Sequence, residues 1–463
     1  MIPLPALPFG HTLAARGDLP IPAWLFAWAA SGVLIVSFFA LSVAWREPRL
    51  EDERWRALTS PAARAVASAA AQALFGALGV ALLGIAVYAG LRGTEAPDRN
   101  LILTFFFVTV WLGFPALSVV LGDVFGPFNP WRAIGRAVGA CAGPADVGVA
   151  HRPYPERLGR WPAAVGLVAF VWLEVVYGVG GAGLSPHTVA VAALVYSGYT
   201  FAMMSVFGVE IWCARGEVFS VYFGMFSQLG VFEARGGRLG RRRPLAAATQ
   251  WAGVPGSLAV VVASIGTTSF DGAQEGAFKG GIEALGGWLL DAGFGAVAAL
   301  RLTDTVFLAL AIAAIAGVYL LGVWGMRNIG DAPSFAQLRS AFAHTLIPIA
   351  FAYLLAHYFS LLVFQEQAQF TYLLSDPLGT GTTDLFGTAG GGIDYAAFGA
   401  RTIWYVQVVA LIAGHVLGLV LAHDRAIAYW GDYRDATRSQ YWMLAVMVAL
   451  TCFGLYLLSV SNR

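Results

Sequence analysis

The chain has 463 residues, of which 58% are hydrophobic and 12% charged, and its formal net charge is +1 at pH 7. Soluble domains carry roughly 25% charged residues, so this composition excludes an ordinary soluble protein and indicates an all-α, polytopic protein surrounded by membrane lipid. The balanced charge excludes a general attraction to nucleic acid.

The three cysteines, Cys141, Cys213 and Cys452, lack the spacing of metal ligands and cannot all pair, so we expect no disulfide framework. The N-terminal segment has no basic region before its first apolar run and no small-residue cleavage site after it. We therefore expect that run to remain as a helix, and residues 1–463 to form a single integral membrane domain.

Ten apolar runs are long enough to cross about 30 Å of hydrocarbon, which takes roughly 20 helical residues. In chain order these predicted spans cover residues 22–45, 66–91, 101–123, 161–180, 187–212, 245–265, 302–326, 340–363, 401–423 and 440–460. A further apolar segment, 217–232, is short for a span, and we predict that it is re-entrant or lies in the membrane interface.

The placement of arginine predicts the orientation of these spans. Loop 46–65, loop 124–160 and the stretch after the short apolar segment each contain several arginines. All three follow the positive-inside rule only if the short segment does not cross, which gives ten spans with both termini outside. Loops 266–301 and 364–400, which are rich in acidic residues such as Asp271, then lie outside.

Four histidines lie within, or at the edge of, two apolar runs. His344 and His357 belong to FAHTLIPIAFAYLLAHYFSLLVF, and His415 and His423 belong to WYVQVVALIAGHVLGLVLAHD. Titratable groups at such depth are costly and usually face a protein interior or a wet cavity, so they are the best candidates for a functional site. The predicted orientation puts His423 at the inner membrane border, where we interpret it as an interfacial residue.

Depth and rotation divide the other three histidines into two groups. Thirteen residues at about 100° each put His344 and His357 on nearly opposite faces of a helix. Pro348 should kink the helix beside His344, because it removes a backbone hydrogen bond. His344 and His415 share the inner half of the membrane and could converge if their helices are neighbours, whereas His357 lies in the outer half.

Further polar residues accompany these histidines. Glu174 lies in the outer half of the fourth predicted span, where a carboxylate must be paired, protonated or bound to metal. Tyr353 shares a helix face with His357, and Gln407 lies about 60° from the face of His415. His11 belongs to the N-terminal segment that we expect outside the membrane.

Three interpretations of this set remain open. Neutral imidazoles with a carboxylate suit zinc, copper or iron, so His344, His357 and His415 are candidate metal ligands, with Glu174 as a catalytic ligand or base. Haem ligation also uses histidine pairs, but the spacings on the two helices differ. Alternatively, each histidine simply makes a hydrogen bond between helices.

Several sequence motifs of known classes of enzymes and transporters are not found in this sequence. No nucleotide-binding glycine motif and no Gly-x-Ser-x-Gly elbow occurs, which argues against an ATP-driven pump and a serine hydrolase. No internal repeat and no pair of interrupted helices typical of secondary transporters is evident in the sequence.

Five strings together resemble a family of bacterial polytopic membrane proteins labelled fenitrothion hydrolase. They are GHTLAARGDLPIPAWLFAWAA, GPFNPWRAIGR, EVFSVYFGMFSQLGVF, AHTLIPIAFAYLLAHYFSLLVFQEQ and LLSDPLGTGTTDLFGTA, and the resemblance extends from about His11 to His423. It implies a multi-pass protein of the bacterial plasma membrane that hydrolyses an organophosphate triester and releases a nitrophenol.

The resemblance and the buried histidines together suggest a hydrolase in which a metal-bound hydroxide attacks phosphorus in an apolar substrate. Two other functions are compatible with the same residues. One is the handling of a metal such as copper, or of haem, in the membrane. The other is a proton-coupled permease in which the buried histidines and Glu174 carry protons.

Overall fold

The computed structural model describes residues 23–52, 54–146, 152–178, 183–251, 253–274 and 276–461. The chain is 73% helical, as the composition predicts, and the described residues contain one small three-stranded sheet. Its strands are β1 (Arg56–Ala57), β2 (Phe232–Arg235) and β3 (Arg238–Arg241).

The first half of the chain contains ten α-helices of very different lengths among the described residues. In chain order they are α1 (Ala23–Ala44), α2 (Pro61–Val66), α3 (Ala69–Arg92), α4 (Leu101–Thr104), α5 (Phe114–Leu121), α6 (Phe125–Phe128), α7 (Pro130–Asp146), α8 (Trp161–Trp172), α9 (Pro186–Phe207) and α10 (Val209–Arg215). The second half contains α11 (Val218–Ser227), α12 (Ala248–Trp251), α13 (Ser257–Ala273), α14 (Lys279–Asp291), α15 (Ala296–Met326), α16 (Phe335–Ala341), α17 (Ile347–Ala368), α18 (Ala400–Trp430) and α19 (Tyr433–Ser461).

Several of these helices continue into segments of another helical type. Phe105–Gly113, Leu173–Tyr177 and Gln369–Leu373 are π-helical, and Ala343–Leu346 is a 3₁₀ turn. The sequence shows no sign of the three π-helical segments, because their residues are compatible with an ordinary α-helix. The 3₁₀ turn contains His344 and lies beside Pro348, where we predicted an irregularity in the helix. Pro348 follows the 3₁₀ turn as the second residue of α17, where its missing N–H leaves no hydrogen bond unmade.

Seven helical segments among the described residues are long and apolar enough to cross a membrane. They are Ala69–Arg92, Leu101–Leu121, Pro186–Phe207, Ala296–Met326, Phe335–Leu373, Ala400–Trp430 and Tyr433–Leu457. The other three predicted spans correspond to shorter apolar helices at Trp28–Ala44, Trp161–Tyr177 and Ser257–Ala273. The protein is therefore a membrane-type helical protein, while ten spans and outer termini remain predictions.

The bounds predicted for the sixth span are wrong. That helix is Ser257–Ala273 rather than 245–265. Left-handed backbone at Leu245 (φ 68°) and at Gly256 (φ 82°) turns the chain before the helix begins. As a result Asp271, which we predicted in an outer loop, lies in the last turn of the helix, and its side chain is only 7% exposed.

The short apolar segment 217–232 lies inside the protein rather than along its surface. Its helix α11 has 10 residues, eight of them buried, and at 1.5 Å per residue it is about 15 Å long. The Glu217 carboxylate caps this helix, accepting hydrogen bonds from the backbone N–H groups of Phe219 at 3.0 Å and Ser220 at 2.8 Å. This burial does not agree with a helix lying in the membrane interface.

The arginine-rich segments meet at one end of the bundle, as the orientation argument requires. Residues of loop 46–65 pair with β3, with Arg56 opposite Arg241. At the opposite end, the backbone of loop 93–100 bonds to the loop after α17, with Thr94 N donating to Leu378 O at 2.8 Å. The two ends are hereafter the arginine-rich end and the acidic-loop end.

Candidate functional site

A buried polar cluster joins three helical segments of the bundle. The Nε2 atom of His357 lies 2.9 Å from Oδ2 of Asp271, and the hydroxyl of Tyr358 donates to the same oxygen at 2.6 Å. Glu174 completes this acid–base cluster, because it lies close enough to Asp271 and Tyr358 for their charges to interact.

Helix packing explains how Asp271 reaches His357. Asp271 lies in the last turn of α13, and His357 and Tyr358 are consecutive residues of α17, against which α13 packs. The neighbour of Asp271 is Gly272, where a Cβ atom would lie 3.4 Å from Nδ1 and Cε1 of the His357 ring. The imidazole thus lies in van der Waals contact with the last turn of α13.

Glu174 is held by a π-helical segment rather than by a regular helix. Leu173–Tyr177 continues α8, and Glu174 is its second residue. Single-turn π-helical stretches inside α-helices occur frequently at functional sites, because the wider turn redirects a side chain. The end of this segment is tied to α15, since the Arg301 guanidinium donates to the carbonyl of Tyr177 at 3.0 Å.

The chemistry of this cluster is acid–base chemistry. The Glu174 and Asp271 carboxylates lie within electrostatic range of each other in apolar surroundings, and their negative charges repel each other. The His357 side chain is 16% exposed, so a small molecule or water can reach it. The hydrogen bond to Asp271 orients the ring.

A further carboxylate, that of Glu366, lies on α17 beyond His357. The hydroxyl of Thr109, in the π-helical segment Phe105–Gly113, donates to Glu366 at 3.3 Å, and the other carboxylate oxygen of Glu366 is buried without a hydrogen-bond partner. We predicted Glu366 in an outer loop because the apolar run ends near residue 363. The structure corrects this, because the helical segment continues to Leu373.

His344 and His415, the two histidines predicted in the inner half of the membrane, lie in different environments. His344 is fully buried in the 3₁₀ turn, with the Ala341 carbonyl and the Arg425 charge nearby, but neither ring nitrogen makes a hydrogen bond of ordinary geometry. His415 has its Nδ1 atom 2.8 Å from the carbonyl oxygen of Leu411, and its Nε2 atom is buried without a partner.

The remaining candidates are mostly engaged in structural contacts. The Tyr353 hydroxyl donates to the Leu450 carbonyl at 2.6 Å, and its ring centroid lies 6.0 Å from that of His415. Gln407 is buried, and its side-chain oxygen has no partner. His423 is fully buried, and its Nε2 atom lies 3.0 Å from the carbonyl oxygen of Trp45. His11 lies outside the described residues.

The predicted metal ligands are not brought together in the described part of the chain. No group of three or more His, Cys, Asp or Glu side chains there is arranged to hold a metal ion. The recorded contacts of His357 lead to Asp271 and Tyr358, not to His344 or His415. The placement of His357 and Glu174 in the outer half of the membrane stays a prediction. The sequence analysis missed Asp271, whose signal is its place at the end of an apolar run.

Two apolar clefts open along α8, the helix that leads to Glu174. One has a volume of about 630 Å³ and lies between α8, α9 and α11. The other has a volume of about 790 Å³ and lies between α8, α13 and α15. Trp161, Val165 and Ala169 line both clefts, so an apolar molecule in the lipid could approach α8 from either side.

Comparisons of this chain with protein-family models, with curated proteins and with solved structures found no match.

Proposed function

We propose that this protein is a multi-pass membrane protein that moves protons through the acid–base cluster and couples them to the transport of a small solute. The observation that supports this proposal is the 2.9 Å contact between His357 and Asp271 on two packed helices, α17 and α13. Ionisable residues buried in membrane helices are rare and frequently mark proton or ion pathways.

The cluster contains an imidazole that can bind and release a proton and two carboxylates that can accept one. His357 takes up a proton from the partly exposed side, and the Asp271 carboxylate holds the ring in place by its hydrogen bond. Tyr358 holds the same carboxylate oxygen by its hydroxyl. Glu174 can then accept the proton from the cluster, so the proton moves from His357 to a carboxylate on a different helix while the imidazole becomes neutral again.

Coupling to a solute requires helices that rearrange when the proton moves. Loss of the charge on His357 weakens the attraction between α17 and α13. The π-helical segment beside Glu174 and the one at the end of α17 are places where a helix changes its geometry at low cost. Discontinuous helices around a central site are also a common feature of secondary transporters.

Proton flux into proteoliposomes tests this proposal. The purified full chain is reconstituted with an internal pH dye, and an acid jump is applied with valinomycin and potassium, with and without an external mixture of amino acids, sugars and carboxylates. We expect a protein-dependent flux that falls at least about 10-fold in His357→Gln and in Asp271→Asn, because a positioned proton acceptor is removed.

The control is His187→Gln, since His187 is exposed on α9, away from the cluster. This variant should keep the wild-type flux. A flux no greater than that of empty liposomes under both conditions, or a flux unchanged in both cluster variants, would overturn the proposal.

Hydrolysis of an apolar ester is a second candidate, supported by the lipid-facing clefts along α8. Here His357 would accept a proton from water, the water oxygen would attack phosphorus, and a nitrophenolate would leave. Incubation of the purified protein with fenitrothion, followed by absorbance of the released nitrophenol, tests it. Nitrophenol release by the wild type that His357→Gln abolishes supports this candidate. Loss of the wild-type release in the presence of a chelator would point to a metal-bound hydroxide. No release from the wild type excludes the candidate.

A further inference from the structure

A polar cavity lies at the arginine-rich end, and none of its lining residues belongs to the acid–base cluster. Its volume is about 330 Å³, and Asp123, Arg132, Arg160, Glu210 and Trp251 are among the residues that line it. Serine and glutamine side chains, Ser220, Gln228 and Gln250, complete its polar wall. Such a mixture of charged and hydrogen-bonding groups is typical of a site for a small polar ligand rather than for lipid tails.

The charge of Glu210 is already balanced inside this cavity. Arg132 donates to Glu210 from Nε at 3.1 Å, and Arg136 donates to its other oxygen at 2.7 Å. Two guanidinium groups therefore share one carboxylate, and no negative charge of Glu210 is left over for another cation.

Arg160 has no acidic partner among the described residues. One of its terminal nitrogens donates to the Trp251 carbonyl at 2.7 Å and to the Ser257 hydroxyl at 2.8 Å, and its guanidinium lies 3.5 Å from the centre of the Trp251 ring. Its Nε atom and the Trp251 indole nitrogen are buried donors without an acceptor. Burial, together with the smaller effect of the nearby Arg215 charge, lowers the pKa of Arg160 to about 10.

This environment favours a negative charge in the cavity. A cation that is buried with only neutral acceptors and an aromatic face is poorly compensated. A guanidinium is also the side chain best suited to an oxyanion, because it offers donors in a planar fork. The Asp123 carboxylate on the same cavity wall has the same sign of charge as an oxyanion and would repel a bulky polyanion.

We propose that this cavity binds a small oxyanion, a phosphate or carboxylate group, through Arg160. The site is independent of the proposed proton movement, since none of its lining residues belongs to the acid–base cluster. The oxyanion can come from a free solute or from the headgroup of an anionic lipid, because the cavity lies at an end of the membrane bundle.

Titration calorimetry of the full chain in a non-ionic detergent, with inorganic phosphate and then acetate as probes, tests the free-solute source. We expect saturable binding that Arg160→Gln weakens at least about 10-fold, the loss expected for a charge-assisted hydrogen bond. Arg157→Gln is the matched control: Arg157 is exposed three residues earlier in the same loop, and its replacement should change the affinity by less than about 2-fold.

A second variant keeps the test valid if Arg160→Gln does not fold. Asp123→Asn preserves the oxygen that accepts the Gly126 N–H at 2.8 Å but removes the like charge. It should tighten binding of the same probe by about 3-fold or more, as expected for removing one charge at roughly 10 Å in a partly wet site.

The lipid source is tested in nanodiscs by native mass spectrometry. Phosphatidylglycerol retained by the wild type and by Arg157→Gln, but lost from Arg160→Gln, assigns the oxyanion to a headgroup; phosphatidylcholine is the neutral comparison. The proposal is overturned if neither phosphate nor acetate binds and phosphatidylglycerol is retained equally by all variants. It is also overturned if binding of both probes is insensitive to Arg160 and Asp123.

Discussion

The Asp424 carboxylate ties the start of loop 46–65 to the bundle. It is 1% exposed and accepts the indole N–H of Trp45 at 2.8 Å and the backbone N–H groups of Arg49 at 2.6 Å and Leu50 at 3.0 Å. The adjacent His423 contacts the Trp45 carbonyl. At this border of the bundle the histidine and the aspartate thus act together as hydrogen-bonding groups.

Asp424→Ala should therefore destabilise the protein strongly. The substitution leaves the buried Leu50 N–H and its neighbours without an acceptor, which costs about 2–4 kcal/mol in the free energy of unfolding. Thermal unfolding of the detergent-purified protein measures the effect. Asp331→Ala, at an exposed aspartate, should leave the midpoint nearly unchanged, and an equal effect of the two substitutions would contradict this role of Asp424.

The acid–base cluster shows which residues could be predicted from the sequence. His357 and Glu174 are recognisable because each interrupts a long apolar run. Asp271 and Glu366 are not, because each lies near the end of an apolar run, where a loop carboxylate and a helical carboxylate have the same local pattern. Only the packing of α13 against α17 brings the Asp271 carboxylate to the imidazole.

At the scale of helices, α17 and α18 pack closely against each other. A Cβ atom at Gly414 would lie 2.3 Å from the Ala352 Cβ and 2.7 Å from the Pro348 carbonyl oxygen. Small residues let membrane helices approach to this distance, where van der Waals contacts and weak polar contacts replace a hydrophobic driving force. The glycine content of the chain thus has a specific use at this crossing.

Gly414→Ala should force these two helices apart. We expect a loss of about 1–3 kcal/mol in the free energy of unfolding, the usual cost of overpacking a tight contact. Gly317→Ala on α15 is the comparison, because a Cβ atom at Gly317 meets no atom within 4 Å, and it should be neutral or slightly stabilising. Equal unfolding midpoints for the two variants in detergent would show that the crossing is not tight.

At the scale of the whole molecule, the sheet connects arginine-rich segments that are distant in the chain. The pairing of Arg56 with Arg241 puts loop 46–65 beside the segment after α11, which the positive-inside rule also requires. The acidic loop after α17 lies at the other end, held by its own side chains: Asp376 accepts the Gly381 N–H and the Thr383 hydroxyl at 2.6 Å each.

Labelling of single cysteines checks the predicted sides of these two ends. In a variant without Cys141, Cys213 and Cys452, we expect Leu385→Cys, at a 65% exposed position, to react with an impermeant maleimide on intact cells. Arg238→Cys, at the exposed turn of the sheet, should react only after the cells are opened. The reverse pattern would invert the orientation, and equal reactivity would contradict the separation of the two ends.

The sequence by itself determined that this is a helical membrane protein, where most of its apolar helices lie, and that His357 and Glu174 are buried candidates. Composition and apolar run length suffice for this because lipid demands long, internally hydrogen-bonded helices. Only the tertiary structure decided that Asp271 joins His357 while His344 and His415 lie elsewhere. It also decided that, within the part of the chain that the structure describes, Arg160 has no acidic partner. Those relations depend on distances between helices, which no pattern within one helix encodes.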